Sequence, residues 1–127
     1  MNDRTVMNRD PASTLPPTDL GVQSALMFAL VAERLTVYYE QGQWLTEAQG
    51  ATLMAEWLAR TKRSLPVSDR RRLSDLADQL ARQMAATLSR EAGLYTAHEM
   101  TEALDSNYHS DLAQSMMVEC ERLLKDF

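Results

Sequence analysis

A chain of 127 residues with 45% hydrophobic and 24% charged side chains has the size and make-up of one globular domain and leaves no room for a second. Four glycines and four prolines are too few for a loop-rich or all-β fold, and the single cysteine, Cys120, excludes an intramolecular disulfide and every zinc spacing that needs two thiolates. A formal net charge of −5 argues against a general polyanion binder, and the lone cysteine favours a reducing, cytoplasmic setting.

Residues 1–17 carry three of the four prolines among Asn, Asp, Ser and Thr, the composition of a flexible tail, and lack the apolar stretch of a secretory signal. The first helix is predicted from about 19 to 41, capped by Thr18 or Asp19 and stopped by Gly42. Its apolar residues, Leu20, Val22, Ala25 to Ala32, Leu35, Val37, Tyr38 and Tyr39, cover more than one face. That pattern suits either the central helix of a bundle or one side of a homodimer interface. The run from Ala25 to Ala32 by itself is too short to span a bilayer.

A second helix opens on "TEAQ", where Thr46 and Gln49 can cap each other's backbone amides, and runs through Leu53, Met54, Trp57 and Leu58 to about Arg63. The link "SLPVS" is short, so the third helix should fold back as an antiparallel neighbour, capped by Ser68 and stopping near Gly93. Leu73, Leu76, Ala77, Leu80, Ala81, Met84, Ala85 and Leu88 recur in it at three and four. A short fourth helix is predicted from Ala97 to Ser106 after a Thr96 cap. A fifth follows Ser110, with Leu112, Ala113, Met116, Met117, Cys120, Leu123, Leu124 and Phe127 on one stripe that would dock the C-terminus. The fold predicted is an all-α compact bundle of four main helices plus a short one, one domain over 18–127, with residues 1–17 as its tail.

Charge is distributed unevenly. Residues 1–59 carry a net charge of −4, residues 60–90 of +5 and residues 91–127 of −6. Six cations fall between Arg60 and Leu73: Arg60, Lys62, Arg63, Arg70, Arg71 and Arg72. The first three sit at the end of the second helix, where the macrodipole and unpaired carbonyls favour positive charge. The other three sit in the first turn of the third helix, where the same dipole disfavours it. Asp69 compensates in part, and Asp75 lies at i+4 from Arg71 and i+3 from Arg72. A charge run is ordinarily solvated surface, or these arginines could cap carbonyls of the second helix or pair with the acidic C-terminal third. Alternatively they form a partner surface, since guanidinium forks suit carboxylate and phosphate alike.

Catalytic patterns are absent: there is no glycine-rich phosphate loop, no G-x-S-x-G and no H-E-x-x-H. His98 and His109 lie eleven apart among acids, and His98 with Glu102 has the spacing of an ordinary surface pair. Cys120, flanked by Glu119 and Glu121 on an apolar stripe, reads as a buried inert thiol. Trp44, Trp57, Tyr38 and Tyr39 gather around the turn between the first two helices, as core or as an exposed recognition patch. Met84, Met116 and Met117 carry the same pair of readings. No cofactor, metal or membrane association is expected. The expected function is that of a small non-enzymatic adaptor, inhibitor or chaperone-like regulator that binds a protein partner, an acidic segment or apolar helix, and forms a homodimer through the first helix. The alternative is a nucleic-acid-associated regulator that uses the 60–72 patch as a phosphate clamp.

Overall fold

The computed structural model of the chain describes residues 19–90, 96–104 and 110–126. Five helices account for most of them: α1 (Leu20–Gln41), α2 (Glu47–Thr61), α3 (Val67–Arg90), α4 (Ala97–Ala103) and α5 (Asp111–Lys125), with no strand among the described residues. The all-α bundle of four longer helices and a short one is therefore the fold. The tail at residues 1–17, the stop at Gly93, Ser106, His109 and the docking of Phe127 lie outside the described residues.

Local chemistry sets most helix starts. Asp19, not Thr18, caps α1, its Oδ1 accepting the Val22 amide at 2.8 Å. Thr46 and Gln49 close the capping box of α2 in both directions, at 3.1 and 2.9 Å. Thr96 and Glu99 form a second box on α4 with the same geometry. The Ser110 hydroxyl accepts the Ala113 amide at 2.9 Å and donates to the Ala103 carbonyl, tying the start of α5 to the end of α4. Gly42 ends α1 in the left-handed region (φ 73°), donating its amide to the Tyr38 carbonyl at 2.8 Å.

Three boundaries differ from the sequence reading. α2 ends at Thr61 rather than Arg63 because Lys62 turns into the left-handed region (φ 55°), after which the Arg63 amide reaches back to the Leu58 carbonyl at 3.0 Å. α3 begins at Val67, one residue before the expected Ser68 cap, because the Pro66 carbonyl already accepts the Arg70 amide at 2.9 Å. α4 stops at Ala103 instead of Ser106.

α1 is the central helix: α2, α3, α4 and α5 all pack against it. Leu26, Met27, Phe28, Leu30, Val31 and Leu35 are buried on it, successive positions that point to different sides and so need neighbours all round. Each contributes about 1.5–3 kcal/mol by leaving water. By length and composition α1 is also long and apolar enough to cross a membrane, a property that a core helix wrapped by four others shares. α3 buries Leu73, Ala77, Leu80, Ala81, Ala85 and Leu88, and α5 buries Ala113, Met116, Cys120 and Leu124, the stripes expected from their periods. α4 contributes Met100, and Leu104 just beyond it closes that end of the core.

Candidate functional site

α2 and α3 pack as neighbours across the five-residue link Lys62–Pro66, which is anchored by buried Ser64 and Leu65. A groove of about 420 Å³ opens between their N-terminal halves. Glu47, Ala48, Ala51 and Met54 supply the α2 wall, and Val67, Arg70, Arg71, Ser74 and Asp75 the α3 wall. Its floor is apolar, its rim carries charge of both signs, and Val67 stands 54% exposed at its edge.

The six sequence-predicted cations divide around this groove. Arg70 and Arg71 line it, while Arg60, Lys62 and Arg63 sit at the C-terminal end of α2 and Arg72 on the exposed side of α3. Among the described residues Arg60, Lys62, Arg63 and Arg71 have no ion-pair or hydrogen-bond partner through their side chains. Asp75 forms no ion pair with Arg71 and stands on the groove wall beside it. Of the six, the groove thus brings together Arg70 and Arg71, and Glu47 and Asp75 offset their charge inside it.

Behind the groove lies a feature that sequence reasoning missed. Arg34 of α1 is only 3% exposed; its Nη2 donates to Ser74 Oγ at 3.1 Å, and its Nε lies 3.6 Å from Asp78 Oδ1. Nε and Nη1 are buried without a hydrogen-bond partner. Burial holds the guanidinium below its ordinary pKa, with the Asp78 carboxylate working in the opposite direction. α2 can pass this close only because residue 50 is glycine: a Cβ there would stand 2.5 Å from Arg34 Nη2. Ser74 therefore serves twice, as groove wall and as partner to the buried cation. A lone arginine within an apolar run, and a glycine inside the first turns of a helix, are the only traces of this contact in the sequence.

Asp78 also accepts from Arg82 Nε at 2.9 Å, and the Arg82 guanidinium lies over the Trp44 ring, 5.0 Å from its centroid. Trp44 stacks on Tyr38 with centroids 4.2 Å apart and planes 9° from parallel, and Tyr38 meets Tyr39 edge-on at 6.0 Å. These aromatics and Trp57 are half-buried against the core, so of the two readings of the cluster the packing one describes the structure.

The exposed face of α5 presents Asp111, Gln114, Ser115, Val118 and Glu119 around a shallow depression. Glu119 pairs with Arg122 through Nε at 2.8 Å and through Nη2, whereas Asp111 and Glu121 have no ion-pair partner among the described residues. His98 pairs with Glu102 at 3.4 Å on the surface of α4. No group of three or more His, Cys, Asp or Glu side chains is placed to hold a metal ion among the described residues. Cys120 is fully buried, and burial, helped by Glu119 and Glu121, pushes its thiol up to about 12.

No family model, no curated protein and no solved structure matches the chain.

Proposed function

We propose that this chain is a small, soluble, cytoplasmic, non-enzymatic protein-binding regulator whose recognition surface is the α2–α3 groove. The observation that carries the reading is the coincidence of an apolar floor with cations that have no partner of their own. Ala48, Ala51, Met54 and Val67 offer a surface for an apolar anchor, and Arg71 at the rim offers charge to a carboxylate, with Arg60, Lys62 and Arg63 in the same basic stretch of chain. An amphipathic helix or acidic segment of another protein fits both requirements, in the helix-in-groove mode. The same free cations support a second reading, a phosphate-binding surface for nucleic acid, which the net charge of −5 opposes at long range.

The test places a photo-crosslinking side chain at Ala51, on the exposed groove wall, in the full chain expressed in its own host. A covalent adduct with a protein through an acidic or amphipathic segment, lost in Arg71→Glu, is the expected result. An adduct with nucleic acid replaces the leading reading by the second, and a chain that stays unmodified refutes both.

A further inference from the structure

We propose that the chain associates with itself head to tail, the α5 face centred on Val118 of one copy docking on the α2–α3 face centred on Val67 of the next. The proposal rests on the reading of the α2–α3 groove as a binding surface and names one occupant for it.

Three large hydrophobic side chains stand exposed among the described residues: Leu20 at the start of α1, Val67 and Val118. The last two occupy faces of opposite charge. Val67, 54% exposed, is followed one turn later by Arg70 and Arg71, and residues 60–90 as a whole carry +5. Val118, 62% exposed, lies two turns after Asp111 and one turn before Glu121, both free of ion pairs. Residues 96–126 hold seven acidic and two basic side chains, and one of those bases, Arg122, is already engaged by Glu119.

The two faces cannot satisfy each other within one chain. α5 runs beside the second half of α3, at Leu80, Met84 and Leu88, and not beside the first turns that carry Val67, Arg70 and Arg71. α1 itself has spent its apolar surface on the four other helices, which leaves little of it for a second copy. Two different patches that complement each other on one molecule make a heterologous contact, which repeats from copy to copy unless the rotation closes a ring. Glu47 and Asp75 on the groove wall weaken the attraction, while Arg60, Lys62, Arg63 and Arg72 keep the 60–72 stretch as a whole positive.

Sedimentation velocity on the purified full chain tests this at about 50 mM and about 0.5 M salt, conditions that move the screening length from beyond a typical ion-pair distance to about that distance. The expected result is a weight-average mass that rises with concentration at low salt and returns to the 14.4 kDa of one chain at high salt. Val118→Asp and Arg71→Glu, both at exposed positions and checked for helicity by circular dichroism, should each give monomer at low salt. Mixed in equal amounts they should form dimers and nothing larger, because each variant keeps the one face that the other has lost. A chain that is monomeric at both salts, assembly that survives both variants, or a mixture that stays monomeric overturns the proposal. If the monomeric chain still crosslinks an acidic partner through Ala51, self-association fails while the groove keeps its binding role.

Discussion

Replacing Asp78 by Asn should cost more than replacing its buried partner Arg34 by Met, although the arginine is by far the less exposed of the two. Arg34 Nε and Asp78 Oδ1 are 3.6 Å apart, which at an effective dielectric constant of about 20 corresponds to about 4–5 kcal/mol of attraction. Asp78 is 33% exposed and shares its carboxylate with Arg82, so solvent screening reduces this to about 2–3 kcal/mol. Asp78→Asn loses that amount and leaves a buried guanidinium with only the Ser74 hydrogen bond and the charge of Asp75 to offset its desolvation. Arg34→Met loses the same attraction and one hydrogen bond to Ser74, about 1 kcal/mol, but also removes the desolvation cost of a buried charge and the Nε and Nη1 that lack hydrogen-bond partners, each about 1–3 kcal/mol. The methionine variant should therefore lie within about 1 kcal/mol of the natural chain or above it, and Asp78→Asn in that background should be nearly silent. Urea unfolding followed by far-ultraviolet circular dichroism gives all four corners of the cycle. A loss of about 3 kcal/mol or more in Arg34→Met, or a neutral Asp78→Asn in the natural chain, would refute the reasoning, since either would make the buried charge a net source of stability.

Gly50→Ala sets helix propensity, about 1 kcal/mol in favour of alanine, against a Cβ placed 2.5 Å from Arg34 Nη2. It should destabilise the natural chain yet stabilise Arg34→Met, which the same urea series would register as a change of sign. Lys62→Gly should raise stability by about 0.5–1 kcal/mol, because φ 55° strains every side chain but glycine's hydrogen, and a thermal melt checks it. The Cys120 thiol, with its folded-state value raised from 9.0 to about 12, contributes a stability that is complete below pH 9. Above that the unfolded chain loses its proton first, so unfolding free energy should fall by about 1.4 kcal/mol per pH unit until the folded thiol also ionises, and Cys120→Ala should abolish that slope. For the same reason a thiol reagent near neutral pH should label Cys120 only at the rate at which the fold opens.

What the sequence made legible was whatever a few consecutive residues decide. Asp19, Thr46 with Gln49, Thr96 and Ser110 each satisfy amides within their own first turn, so their caps stand where the letters put them. The α3 and α5 stripes are likewise local and became the buried faces. The end of α2 was misplaced because the residue that adopts the left-handed turn is a lysine, and no glycine marks it. The start of α3 moved because a proline carbonyl took the first helical bond in place of a serine side chain. The role of α1 was ambiguous, since an all-round apolar pattern is the same for a helix buried among its own neighbours and one buried between two copies. The basic residues were visible one by one, but the groove they edge is a property of how far α2 and α3 splay, which no spacing encodes.

Arg34 shows what such non-local contacts add to a fold whose stripes alone are permissive. An apolar face that repeats at three and four can meet its neighbour almost as well one turn along, because leucine against leucine carries no address. The guanidinium has one. It fits only where α3 brings Ser74 and Asp78, one turn apart, to the same height on α1 and where α2 presents a residue without a side chain. A shift of α3 by one turn would take at least one of these partners away from the charge, and a shift of α2 would bring a side chain against it, either at a cost of several kcal/mol. The register of α1, α2 and α3 is thereby fixed by a contact that adds little net stability. Because Ser74 also walls the groove, the same contact sets where Val67, Arg70 and Arg71 stand relative to Ala48, Ala51 and Met54. The shape of the α2–α3 groove is in this way inherited from the buried arginine beneath it.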